Sequence, residues 1–125
     1  MIHPSARPAP VQDEVVTRAA LRAAARLGLS NRVVARVIGV SEATVSRMGS
    51  GAYLLKPADK SFDLALLFVR LFRSLDAITG GDEAVARAWL RNQNEALGGV
   101  PVSLIETVPG LVHVVGYLDA RRALV

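Results

Sequence analysis

The stretch Ser30-Asn31-Arg32-Val33-Val34-Ala35-Arg36-Val37-Ile38-Gly39-Val40-Ser41-Glu42-Ala43-Thr44-Val45-Ser46-Arg47-Met48 decides the fold. It reads as two short helices, Asn31–Ile38 and Glu42–Met48, each behind a serine able to cap it, Ser30 and Ser41. Ala35 is small where a second helix must cross closely. Gly39 stands at the turn, where the backbone needs a positive φ. Val34, Ile38, Val40, Val45 and Met48 form an apolar wedge that sets the angle between the helices. Together these seven positions match the requirements of a helix-turn-helix.

The wedge leaves Glu42, Ala43, Thr44, Ser46 and Arg47 free on the second helix, groups short enough to approach base edges in a major groove. Arg47 is the candidate for a guanine contact. Thr44 and Ala43 suit thymine methyls or phosphate. Glu42 repels phosphate unless it accepts from a cytosine amino group. Ser30, Asn31, Arg32 and Arg36 fall where the first helix meets the sugar-phosphate backbone. Ser41 joins the set at the second helix's start, and Tyr53 and Lys56 follow it, placed to pin a phosphate. Arg18, Arg22 and Arg26 recur every four residues as a basic stripe on the preceding helix. A bland αα-hairpin with a solvated arginine face is the competing reading. Charge favours DNA: residues 1–60 hold nine Lys/Arg against four Asp/Glu, +5, while residues 61–125 hold six against seven, −1.

Working outward, 125 residues suffice for one compact domain or two small ones sharing a core. A composition 51% hydrophobic and 21% charged excludes wholesale disorder. With no cysteine, disulfide frameworks, Cys-based zinc sites and thiol catalysis are all excluded. The start has no apolar h-region, and the longest apolar run, Leu64 to Val69, falls far short of the roughly 20 residues of a spanning helix. A soluble, cytoplasmic protein without membrane contact is expected.

Residues 1–10, Pro-rich, read as a flexible arm. Residues 11–60 read as the helix-turn-helix domain with its linker, and 61–125 as a helical domain for dimerisation and partner binding. Val16, Ala20, Ala23, Ala24 and Leu27 keep helical spacing up to Gly28. Ala52 to Lys60, with Pro57, is the linker. Ser61 is expected to cap a long helix, Phe62–Thr79, and Asp82 to cap Glu83–Asn92. A loop around Gly98-Gly99 leads to a short helical turn, Val102–Glu106. Thr107 is expected to cap a last helix, Val108–Arg121, with Pro109 in its first turn. Leu111, Val114, Val115 and Leu118 follow i, i+3, i+4, i+7, which favours helix over strand there. The expected fold is all-α: a helix-turn-helix domain packed through a long helix onto a small helical domain. Apolar residues point all round that long helix, so it is expected to serve both halves and a symmetry mate, with Leu64, Phe68 and Phe72 at a homodimer interface.

Catalysis finds little support. His3 lies in the arm, and His113 has no acid three or four residues away. Asp82-Glu83 is accounted for by a helix start. No enzyme activity, catalytic residue, metal or cofactor is expected.

Further along run Ala86-Arg87-Ala88-Trp89-Leu90, Asn94-Glu95-Ala96-Leu97-Gly98-Gly99-Val100-Pro101, Leu104-Ile105-Glu106-Thr107, Gly110-Leu111 and Tyr117-Leu118-Asp119-Ala120. In this order they resemble the toxin-binding domain of the Xre/MbcA/ParS antitoxins, which pair with RES-domain toxins. The resemblance runs from Ser61 to the C-terminus, behind a helix-turn-helix placed as in those proteins. It implies a helical, homodimeric antitoxin of a type II toxin-antitoxin system. Its N-terminal domain would bind operator double-stranded DNA as a transcriptional repressor, and its C-terminal domain would neutralise a cognate, NAD-consuming RES toxin. It also implies toxin contact at Tyr117, Asp119, Arg121, Arg122, Leu124 and Val125. Family members often have Gly before the last apolar residues. This chain has Ala123, which resists positive φ, so its tail is expected to leave the helix at another angle. From the residues alone, two arginines before Leu-Val suit either an acidic, nucleotide-sized pocket or a frayed terminus. The alternative function is a stand-alone helix-turn-helix regulator whose C-terminal domain dimerises or senses a ligand.

Overall fold

The structure, a computed structural model, describes residues 12–124, so the expected arm, with His3, and Val125 lie outside the described residues. Seven helices follow in order: α1 Gln12–Leu27, α2 Asn31–Ile38, α3 Glu42–Gly49, α4 Lys60–Ile78, α5 Glu83–Arg91, α6 Pro101–Leu104 and α7 Val108–Arg122. The described residues form no strand, only an isolated bridge between Asn94 and Gly99 at the reversal through Gly98-Gly99. The fold is all-helical. None of the described helices is long and apolar enough to cross a membrane.

Four starts carry the side-chain caps that the sequence predicts. Ser30, Ser41, Asp82 and Thr107 each accept a hydrogen bond from the backbone N–H three residues on. The long helix departs from expectation. It begins at Lys60 with Asp59 at its cap, and no side chain caps it there. Ser61 is already inside the first turn. The short α6 also starts earlier than expected, with Pro101 at its first position, where the missing N–H costs nothing.

α4 is the spine. It packs most extensively on α7, then on α1 and α2. Phe62, Ala65, Phe68, Leu71, Ser74 and Leu75 are its buried residues. Each fully buried Phe or Leu contributes about 1.5–3 kcal/mol of hydrophobic transfer. Burial is not all-round, however: Asp63, Arg70 and Arg73 are exposed, and so is Leu66. Phe68 is 0% exposed inside the protomer, so it has no surface for a second copy. Its place in the expected dimer interface is corrected to the core. Leu64 and Phe72 are half-buried.

The segment between α3 and α4 is held down. Leu55 is fully buried, and its N–H donates to Thr17 Oγ1 at 2.9 Å. Thr17, itself buried in α1, donates that same hydroxyl to Asp13 O. One threonine thus ties the linker to the first helix.

The two halves also meet at the C-terminal end of α1, which leaves carbonyls without intrahelical partners. Two arginines of α5 supply donors. Arg87 Nε reaches Arg26 O at 2.9 Å and its Nη2 reaches Ala25 O at 3.2 Å. Arg91 Nη2 reaches Gly28 O at 2.9 Å, and its Nη1 sits 3.4 Å from Leu27 O. Their charge also opposes the negative end of the helix dipole.

Candidate nucleic-acid and partner interfaces

The helix-turn-helix geometry follows from the wedge. Val34, Ala35, Ile38, Val45 and Met48 are all buried. Gly39 sits at φ 75°, ψ 38°, and its N–H returns to Ala35 O to close α2. For any other residue that left-handed conformation costs about 1–2 kcal/mol. Leu64 of α4 lies against the same turn, its Cδ1 3.5 Å from where a Gly39 Cβ would stand.

On α3 the outward set is Glu42, Ala43, Ser46 and Arg47, all exposed. Thr44 is half-buried. Its N–H and its Oγ1 both bond Ser41 Oγ, the hydroxyl pair at 2.9 Å, and Arg47 Nη2 donates to Thr44 Oγ1 at 3.0 Å. Ser41, Thr44 and Arg47 are therefore one linked unit. The Arg47–Thr44 bond holds the guanidinium against α3 and restricts its rotamers. Glu42 lies in the first turn of α3, where its charge favours the helix dipole. Asn31 and Arg32 are exposed at the start of α2 behind Ser30, whose hydroxyl is occupied by Val33 N–H. Arg36 is exposed, yet it reaches across to Glu106 at 3.2 Å, joining the two halves. Beyond α3, Lys56 is exposed and Tyr53 packs half-buried against the core.

The stripe on α1 is divided. Arg18 pairs with Glu14 at 3.3 Å. Arg26 lies 3.7 Å from Glu83 of α5 and 6.0 Å over the Phe72 ring of α4. Arg22 gathers with Arg73 of α4 around shared cavities. These guanidinium groups therefore meet residues of α1, α4 and α5, not of α3.

On the C-terminal side, α7 presents Tyr117, Asp119, Arg121 and Arg122 in two different settings. Tyr117 stacks on Trp89 of α5, ring centroids 6.4 Å apart and planes 20° from parallel. Arg121 lies 5.6 Å above the Tyr117 ring, so a cation caps an aromatic pair near the surface. Asp119 faces inward. Arg70 Nη2 is 2.7 Å from its Oδ2, and Ser74 Oγ donates to its Oδ1 at 2.8 Å. Arg122 Nη1 is 3.5 Å from the same Ser74 hydroxyl. Asp119 thus satisfies fully buried Ser74 and joins α7 to α4. Leu124 is 83% exposed. Ala123 stays right-handed at φ −64°, ψ −15°, so the tail departs without a left-handed turn.

Gly110 fixes the start of α7. A Cβ there would fall 1.8 Å from Leu104 O, well inside contact distance. This close crossing brings α6 against the first turn of α7. Among the described residues no three His, Asp or Glu side chains gather as a metal site. Sequence reasoning missed Thr17, Ser74, Arg87 and Arg91, whose partners lie 38 to 64 positions away. No local spacing signals such pairs.

Two family models match the chain. Residues 6–70 match the antitoxin Xre-like helix-turn-helix domain. Residues 74–123 match the antitoxin Xre/MbcA/ParS C-terminal toxin-binding domain. Both are antitoxin domains and neither describes an enzyme. No curated protein matches the chain. The interval between the two matches falls inside α4, the helix that carries the shared core. With its first half matched by the one model and its second half by the other, the chain belongs to the Xre-type antitoxins.

Proposed function

We propose that this antitoxin neutralises a RES-type, NAD-consuming toxin by direct binding, and that it represses its own operon through the helix-turn-helix as a homodimer. The observation that carries the reading is the pairing of two surfaces on one chain. An exposed α3 face of Glu42, Ala43, Ser46 and Arg47 stands in the matched DNA-binding fold. The Tyr117–Arg121 face and exposed Leu124 stand in or beside the matched toxin-binding domain. The RES class of the toxin is what the resemblance of residues 86–120 implies. Of the three α4 residues expected at a dimer contact, Leu64 and Phe72 have surface to offer. Soluble cytoplasmic residence fits a repressor of this kind.

Co-expression with the RES-domain protein encoded beside it is the test. The two proteins should co-purify, and cellular NAD should be preserved. Deleting Arg121 to Val125 should leave operator binding intact while NAD falls. Failure of the pair to associate overturns the antitoxin reading in favour of a stand-alone regulator. Retained protection by the deleted protein removes the tail from the inhibitory contact.

A further inference from the structure

Away from the exposed face of α3, α1 and α4 enclose a groove that reaches α7 only at Arg122. It comprises two adjoining cavities of about 380 and 310 Å³ that share Val15, Ala19 and Arg73. Its floor is apolar, built from Val16, Ala19 and Val69, and Val15 and Leu66 stand at its edge, 53% and 46% exposed. Arg18, Arg22, Arg70, Arg73 and Arg122 surround that floor. Two acids answer them: Glu14 pairs with Arg18 and Asp119 with Arg70. Five cations against two anions leave +3, and among the described residues Arg22 and Arg73 have no acidic partner.

We infer that this groove docks an acidic, amphipathic segment of a partner protein, its apolar side on Val15, Leu66 and Val69 and its carboxylates on Arg22 and Arg73. Charge selects this occupant. A second copy docked groove to groove would set two arginine rows against each other. Residues 1–11 of this chain contain no Asp or Glu and carry Arg7. Duplex DNA would answer the arginines with phosphates but leave Val15, Leu66 and Val69 without an apolar partner, and no residue of α3 lines the groove. An acidic amphipathic segment satisfies both the cations and the exposed aliphatic edge. The proposal does not rest on the toxin reading, because the groove lies almost wholly outside the matched toxin-binding segment.

The experiment is fluorescence anisotropy on the full chain with three labelled probes. One is an amphipathic peptide with one Glu face and one Leu face, the second replaces each Glu by Lys, and the third is a random-sequence DNA duplex. Wild type should bind the Glu peptide and discriminate against the Lys peptide. Arg22→Glu with Arg73→Glu should weaken the Glu peptide by about tenfold or more and reverse the preference. Leu66→Ser, which keeps every charge, should also weaken it. Both changes sit on exposed positions, and thermal melts establish that the variants fold. Equal binding of the two peptides, or an unchanged Glu-peptide affinity in the double variant, overturns the proposal. So does an equal loss of duplex binding, which would make the groove a phosphate track. A change of sedimentation state in the double variant would assign the groove to a second copy and overturn it as well.

Discussion

The helix-turn-helix and the junction between the halves are built by opposite means. In α2 and α3 most polar contacts are local: Ser30 and Ser41 cap within three residues, Gly39 closes its own helix, and Thr44 and Arg47 bond to each other. At the junction nearly every polar contact is remote: Arg87 and Arg91 cap α1, Asp119 holds Ser74 and Arg70, and Arg36 meets Glu106. The first region presents a surface already shaped for a ligand. The second fixes where that surface stands relative to the toxin-binding domain.

The sharpest way to test the contrast is to remove what both regions share. Phe68→Ala should destabilise the whole chain by about 3–5 kcal/mol. One cooperative loss of helix should appear in chemical denaturation, and two separated transitions would show that the halves fold independently. Gly110→Ala should cost about 1–3 kcal/mol through overpacking against Leu104 O. Hydrogen exchange should show that loss first around α6 and α7, with α2 and α3 still protected. Arg47→Ala should leave the melting temperature nearly unchanged while losing about 1–3 kcal/mol of operator discrimination in a competition footprint, if the arginine reads guanine bidentately. An unaltered footprint would take Arg47 out of the base-reading set. The smallest effect belongs to the junction arginines. Arg87→Ala with Arg91→Ala should cost about 1–2 kcal/mol, because these donors are partly solvated. Its signature is faster exchange confined to the last turn of α1.

The same contrast explains how much was legible from the sequence. Caps and turn in residues 30–48 are short-range demands, each written within four residues of its partner, and the structure has them. The all-helical fold was readable from apolar periodicity and capping residues. α4 starts two residues earlier than Ser61 as a cap predicts, because Asp59 and Ser61 are comparable intrinsic caps and local sequence does not choose between them. Phe68 reads as a dimer contact because apolar residues occupy every side of α4 in sequence. Only the positions of α1, α2 and α7 decide which of them has no exposed surface. The arginine stripe on α1 is likewise visible as a period, but the partners Glu83 and Phe72 of Arg26 are not.

The capping of α1 by α5 has an evolutionary consequence. Recombination between related genes can exchange the helix-turn-helix segment while keeping the toxin-binding segment. A crossover at the interval between the two family matches would sever α4 before Leu75 and hand α1 a foreign α5. The backbone carbonyls at that terminus are alike in any sequence, so the hybrid keeps these caps only where α1 and α5 meet at the same spacing. An exchange that carries Arg87 and Arg91 together with the α1 terminus keeps this junction, whereas one that separates them leaves its geometry to a foreign pairing.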